Sequence, residues 1–261
     1  MSHERRAESQ NHLVARRVDQ IAEKLGTQST LSPPGDCPEW FKRMPFARWG
    51  WRELNLYGWP LLLATVGLAL LTWPWGFVAA IPGGLLFLLF YFFRDPRREI
   101  PEDLRAIVAP ADGRVVDVTA LEREDFIGGP AVRVGIFLSI FNVHINRAPL
   151  AGRVVEMLYQ PGKFLNAMRP ESADENEFMW IGFEQPEPPR RRFAVRQISG
   201  MLARRIVCPL QPGQTVARGE KFGMIKLGSR TEVILPADAV DIRVRPGDKL
   251  RAGTDIVAHW K

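Results

Sequence analysis

The chain has 261 residues, 46% hydrophobic and 25% charged, enough for one sizeable domain with appendages or two small domains of ordinary globular chemistry. Cys37 and Cys208, the only cysteines, lie far apart in unlike sequence; they exclude a disulfide framework or a cysteine zinc site and point to a reducing, cytosol-facing compartment. A formal charge of +6 calls for an anionic partner, nucleic acid or a membrane surface, and no metal ligand set is expected.

Residues 1–53 read as a polar tail ending in an interfacial segment. Val14, Val18, Ile21 and Leu25 share one face of a short amphipathic helix predicted over His12–Leu25, and a loop follows around Pro33-Pro34-Gly35. From Glu39 to Arg52 aromatics alternate with basic residues, among them Trp40, Phe41, Arg43, Phe46, Arg48, Trp49, Trp51 and Arg52. That mixture suits a lipid headgroup layer. It can also bind single-stranded nucleic acid, but the adjoining sequence decides for lipid, because no side chain from Leu54 to Phe93 is charged. Nucleic acid is set aside as a partner.

Residues 54–95 form the expected hydrophobic membrane anchor. Two apolar runs, Pro60–Trp73 and Gly76–Phe93, are divided at Pro74-Trp75-Gly76. A span needs about 20 apolar residues, so a helical hairpin competes with a single crossing that has an interfacial lead-in. Arginines on both flanks (Arg48 and Arg52 before, Arg94, Arg97 and Arg98 after) favour the hairpin, with both ends cytoplasmic. The run starts too deep in the chain for a secretory signal.

Residues 96–261 read as a strand-rich soluble domain. Strands are predicted over Ala106–Val118, Val132–Ile145, Arg153–Gln160, Phe178–Phe183, Ala194–Ile198, Thr231–Leu235 and Val240–Val244, bounded by Gly, Pro and Asp. Pro212-Gly213, Val216, Gly219 and Phe222 recur as Pro246-Gly247, Leu250, Gly253 and Ile256: a turn, an inward residue, a second turn, a strand. This grammar resembles the barrel-sandwich hairpins of lipoyl and biotinyl domains. The predicted fold class is α+β, a predominantly antiparallel β domain preceded by the helical anchor.

Three segments can carry chemistry. Pro110-Ala111-Asp112-Gly113 alone is a β-turn. His144, within Asn142-Val143-His144-Ile145-Asn146-Arg147-Ala148-Pro149, would alone be a structural histidine; yet the other histidines are His3, His12 and His259, near the chain ends, so it is almost the sole titratable candidate near neutrality. Gly228-Ser229 alone is a turn, but glycine leaves its carbonyl unshielded and admits backbone conformations that favour attack by the following hydroxyl.

Together and in this order the segments resemble the phosphatidylserine decarboxylase family: the P-A-D-G turn, the N-V-H-x-N-R-x-P segment and the L-G-S site. Tyr91-Phe92-Phe93-Arg94-Asp95-Pro96, Gly162-Lys163-Phe164 with Asn166-Ala167, and Asp174-Glu175-Asn176-Glu177 fit its short, membrane-anchored bacterial branch. The resemblance covers about residues 57–260 and implies that Ser229 attacks the Gly228 carbonyl. Elimination and hydrolysis would then leave a pyruvoyl group, a β-subunit ending at Gly228 and an α-subunit starting at position 229. It further implies a charge-relay trio of Asp112, His144 and Ser229, and turnover through a Schiff base between the pyruvoyl carbonyl and the amine of phosphatidylserine. Arg147, Asn146, Phe164 and Asn166 become substrate-binding candidates, with Arg204 and Arg205 as further phosphate candidates. The longer branch carries a second histidine where this chain has Arg147, which leaves open whether His144 serves both maturation and turnover. The implied location is the inner membrane, catalytic domain on the cytoplasmic side, against anionic phospholipid; the sequence leaves room for a homo-oligomer. Rival readings are a biotin- or lipoate-carrying Lys226, a catalytically silent adaptor, and a pyruvoyl enzyme for another serine-headgroup lipid. A domain lacking residues 1–93 is expected to cleave itself still but to act poorly on bilayer substrate.

Overall fold

Between Leu54 and Phe92 no side chain is charged and apolar residues fall on every side, a pattern for helices facing hydrocarbon and not for an amphipathic pair on a core. The computed structural model describes residues 41, 44–71, 76–165, 175–201, 205–226 and 228–261, and so does not reach the helix predicted over His12–Leu25 or the loop at Pro33. After a 3-10 turn at Arg48–Gly50 comes α1 (Trp51–Leu71); after a second at Gly76–Ala79 comes α2 (Ala80–Phe92). They run antiparallel: Gly58 faces Leu86 and Leu89, and Gly83 faces Thr65. Small residues at the seam let the backbones approach. Pro60 sits inside α1, and Thr65 Oγ donates back to the Leu61 carbonyl at 2.7 Å. The helical run Arg48–Leu70 is long and apolar enough to cross a membrane, while Gly76–Phe92 is shorter. Leu56, Trp59, Leu63, Leu70, Phe77, Ile81 and Phe87 are exposed.

The rest is antiparallel sheet. The strands are β1 (Ala106–Val108), β2 (Gly113–Glu124), β3 (Gly129–Leu138), β4 (Ile145–Arg147), β5 (Gly152–Gln160), β6 (Phe178–Glu184) and β7 (Arg192–Ile198). They continue with β8 (Ile206–Val207), β9 (Thr215–Val216), β10 (Lys221–Ile225), β11 (Ser229–Pro236), β12 (Val240–Ile242), β13 (Lys249–Leu250) and β14 (Ile256–Trp260). Eight of them form one sheet, ordered β13-β2-β3-β11-β7-β6-β5-β9; β1-β14-β12 and β4-β10-β8 form two smaller ones. On one face of the large sheet Val134, Ile136, Ile181, Phe183, Phe193, Val195, Val233 and Leu235 make the core. On the other, Arg230 pairs with Asp117 at 2.6 Å and with Glu232 at 2.8 Å, and Arg133 and Arg196 lie within 3.7 and 3.5 Å of Glu232.

Two predicted strands are each broken in two. Ala106–Val118 bends at Pro110, which has no N–H to give a ladder. Val132–Ile145 ends after Leu138 because Asn142 Oδ1 accepts from the Ser139 N–H (2.9 Å) and Oγ (2.7 Å), closing a turn that competes with the sheet.

The repeat visible in sequence is real in space. All four of its glycines, Gly213, Gly219, Gly247 and Gly253, have positive φ, between 75° and 101°. A second repeat, which the strand pattern did not disclose, accompanies it: Ala109-Pro110-x-x-Gly113-Arg114-Val115-Val116 recurs as Ala148-Pro149-x-x-Gly152-Arg153-Val154-Val155. The two sets interlock in matching ways. Gly253 N–H donates to the Ala109 carbonyl at 2.9 Å, as Gly219 does to Ala148 at 2.8 Å; Gly247 donates to Val115 and Gly213 to Val154, both at 2.8 Å. Across the middle, Arg147 N–H reaches the Pro110 carbonyl and Val108 N–H the Pro149 carbonyl. The domain is thus two similar hairpin units, and one of them presents Asp112 where the other has Ala151.

Candidate active site

The Ser139–Asn142 turn delivers His144 into the interior, wholly buried just before β4. Nδ1 lies 2.9 Å from the Asn142 carbonyl, and Gly228 N–H donates to Nε2 at 3.3 Å. An amide N–H can only donate, so the lone pair sits on Nε2 and Nδ1 carries the proton. The Phe92 ring packs on the imidazole, centroids 4.4 Å apart. Burial pushes the imidazole down to about 4; the Asn142 carbonyl opposes this and the Arg94 charge adds to it. At neutral pH the ring is uncharged, the form a general base requires.

Gly228 has φ +63°, and a Cβ there would meet no neighbouring atom, so backbone conformation alone demands glycine. Ser229 opens β11 opposite Leu138 of β3, fully buried, with no hydrogen-bond partner for Oγ among the described residues. A buried hydroxyl without a partner costs stability and marks a place where chemistry is kept in reserve. On the other side of the bond Lys226 Nζ donates to Glu53 Oε1 of α1 at 2.6 Å. That contact, and a side chain only 11% exposed, remove Lys226 from the hairpin-tip position a biotinyl or lipoyl lysine needs.

Asp112 is held by Arg98, at 2.7 and 3.0 Å, and accepts from Ala252 N–H at 2.8 Å. Burial raises its carboxyl, with those partners opposing. The Arg94 charge bears on both Asp112 and His144. No hydrogen bond joins Asp112 to His144, or His144 to Ser229 Oγ, so in this structure the expected trio is not a hydrogen-bonded chain. Asn142 contributes the carbonyl that orients the ring.

The substrate-binding candidates divide. Arg147 is buried and donates to the Gly219 carbonyl (3.0 Å), the Pro96 carbonyl (3.4 Å) and Asp95 (3.5 Å); Asn146 donates to Thr231 Oγ1 (2.9 Å) and accepts from Gln197 (2.8 Å). Both are committed to internal partners. Phe164 is 40% exposed, whereas Asn166 and Arg204 lie outside the described residues. Arg205 is 4.0 Å from Glu53. Asn176 pins the stems of the segment 166–174: it accepts from Leu165 N–H (2.7 Å) and donates to the Leu165 (2.9 Å) and Ser199 (2.8 Å) carbonyls. Beside it Tyr159 donates to a buried Glu177 at 2.8 Å, and burial raises that carboxyl. Phe92, Glu53, Asn142 and Asn176 were not marked as site residues by sequence reasoning. Phe92 and Asn176 stood inside recognised motifs, but nothing in the sequence tied α1 or α2 to His144.

A hydroxyl beside its own preceding carbonyl, with a neutral imidazole on the same peptide unit, can move its acyl group from nitrogen to oxygen. The residues present also fit a prosthetic group made from Ser229: the hydroxyl has no partner among the described residues, the serine and His144 are buried, and β11 would keep its place after a cut. Such a site defines the self-processing proenzymes, chains whose first substrate is their own backbone. The family model for phosphatidylserine decarboxylase matches residues 85–258. The chain is 46% identical over 224 residues to a phosphatidylserine decarboxylase proenzyme of Rhodopirellula baltica, covering 85% of this chain and 91% of the relative. It is 45% identical over 206 residues to that of Symbiobacterium thermophilum (77% and 93%) and 44% over 183 residues to that of Carboxydothermus hydrogenoformans (69% and 84%). The chain belongs to the phosphatidylserine decarboxylase family.

Proposed function

We propose that this chain is a proenzyme that cuts itself between Gly228 and Ser229 and then, at a membrane surface, converts phosphatidylserine to phosphatidylethanolamine with the pyruvoyl group left at position 229. The observation that carries the reading is the left-handed Gly228, its amide on His144 Nε2, followed by a buried serine with an unclaimed hydroxyl.

In maturation Ser229 Oγ attacks the Gly228 carbonyl while His144 Nε2, releasing its long 3.3 Å contact, takes the proton. The peptide C–N bond breaks with its nitrogen taking the proton, the ester forms, and loss of the Ser229 Cα proton expels Gly228 as a carboxylate. The dehydroalanine left at position 229 tautomerises to an imine, which water hydrolyses to the pyruvoyl carbonyl with loss of ammonia. Asp112 serves through Arg98 and Ala252, fixing the turn that faces β4. The pyruvoyl group supplies a carbonyl that takes the lipid's amine and draws electrons from the departing carboxylate. During turnover His144 can hold or return a proton at Nε2. We assign Phe164 and Asn166 to the headgroup, and Arg147 and Asn146 to holding β4.

Residues 1–53, 54–95 and 96–261 act in this reading as tail, anchor and catalytic domain. The interlocked hairpin units support the barrel-sandwich reading of that domain. The antiparallel α1–α2 hairpin, its exposed apolar surface and its arginine flanks support attachment to an anionic phospholipid membrane with both ends on the cytoplasmic side of the inner membrane. Intact mass of the purified protein tests the core of the proposal: two polypeptides are expected, the lighter one with a blocked N-terminus, and one uncut chain for Ser229→Ala. Cleavage at this bond in Ser229→Ala would overturn it.

A further inference from the structure

Beside the atoms proposed to react, a set of buried contacts joins the hairpin to the sheet domain. Residues Pro34–Lys261 form one compact unit, and within it Phe41, Trp49, Leu54, Phe92 and Phe93 share a buried cluster with Val143, Ile145, Val207 and Met224. This cluster flanks His144 on both sides in sequence. Phe92, the last residue of α2, covers the imidazole itself, and Phe93 meets Phe92 edge-on at 5.0 Å. Gly50 lies so close to Phe93 that a Cβ there would overlap the ring. Arg94 donates to the Phe141 carbonyl at 2.7 Å, tying the end of α2 to the turn that carries His144. From α1, Glu53 holds Lys226, two residues before the Gly228–Ser229 bond; both side chains are largely buried, at 20% and 11% exposure.

We infer that the hairpin is one wall of the maturation site: Glu53 positions the segment before the cleavage bond through Lys226, Phe92 positions and dries the His144 imidazole, and self-cleavage proceeds at full rate only when the folded hairpin is in place. This rests on the reading of Gly228–Ser229 as the cleavage bond. It departs from the expectation that residues 1–93 are dispensable for cutting. A base and a carbonyl must meet within tenths of an ångström, and a misplacement of about 1 Å can cost a hundredfold in rate. The imidazole is held from the hairpin side by Phe92, and the segment leading to the Gly228 amide by Glu53 through Lys226. The charged groups around the ring are Arg94 at the end of α2 and, beyond Phe93, Lys226 with Glu53.

The test uses the full chain, synthesised in the presence of anionic phospholipid vesicles, with cleavage followed in time and across pH. Glu53→Gln and Phe92→Ala should each slow cleavage by about tenfold to a hundredfold, while Glu53→Asp and Phe92→Leu retain most of the rate. Phe92→Ala should also move the acid limb of the cleavage profile up toward the ordinary imidazole range, because water reaches the ring; general loosening of the fold would slow cleavage at every pH without moving the limb. Leu63→Ala, on the outward face of α1, should match the native rate. Thermal melting of each variant in a Ser229→Ala background shows whether the fold has survived. Native cleavage rates and an unmoved limb in Glu53→Gln and Phe92→Ala would overturn the inference. Cleavage of Ser229→Ala itself would instead sink the maturation reading on which it rests.

Discussion

A neutral, buried imidazole at Gly228 has consequences that pH exposes. His144 is held down at about 4 chiefly by burial, against an ordinary value near 6.5. Its neutral form, the base, therefore persists far below neutrality, and cleavage of freshly made proenzyme should stay level down to about pH 5 and fall near pH 4. A fall centred near 6.5 would show a solvated ring. The same shift acts on stability: between the unfolded and folded values the unfolded chain binds a proton that the folded chain refuses, so this group's share of stability is lost as pH drops from about 6.5 toward 4. Gly228→Ala should slow cleavage and cost about 1–3 kcal/mol, since the left-handed conformation strains any other residue. Asp112→Asn should slow cleavage without moving the acid limb, because its partners are Arg98 and Ala252 and not the imidazole. Ser229, His144 and Gly228 could be chosen as candidates from the sequence because their order and spacing are distinctive, and the structure brings the Gly228 amide to His144. The real partner of His144 Nδ1 was not, because a backbone carbonyl leaves no mark on residue identity.

At the scale of elements, the hairpin reads most easily and its attachment least. Uniform apolarity announces α1 and α2; the arginines beside them were read as flanking charge on the cytoplasmic side. Two of the three after α2 also have partners in the protein, Arg98 on Asp112 and Arg94 on the Phe141 carbonyl, leaving Arg97 as the exposed member. The seven predicted strands were all found, two of them broken by local turn chemistry that alternation cannot register. The short strands β9 and β13 carry two residues each and were foreshadowed only by the repeat of their turns. If both helices are buried in hydrocarbon, as proposed, attachment is effectively irreversible, whereas an interfacial helix with basic flanks releases in salt. Alkaline carbonate or high salt should leave the protein in the membrane pellet, and its appearance in the supernatant would reduce the hairpin to a surface contact.

At the scale of the whole molecule, what matters is where the proposed cut would fall relative to the sheets. With the cut at Gly228–Ser229, the piece from Ser229 onward supplies β11, lodged between β3 and β7, then β14, lodged between β1 and β12, and β13 on the edge of β2. The two mature chains should therefore elute together in detergent at high salt and separate only on denaturation; separation under native conditions would contradict this strand arrangement. A further consequence concerns time. In the uncut chain β11 already pairs with both neighbours, and the left-handed Gly228 meets its histidine in that folded arrangement. Folding must come first and cutting second, and the order cannot be run backwards. Denatured Ser229→Ala should regain its fold at a rate independent of protein concentration. The cut form, asked to thread a separate piece into the middle of a finished sheet, should recover slowly, in a concentration-dependent way, or not at all. Its resistance to heat is then a lifetime and not an equilibrium: the working enzyme keeps a shape that its present two chains were never required to find.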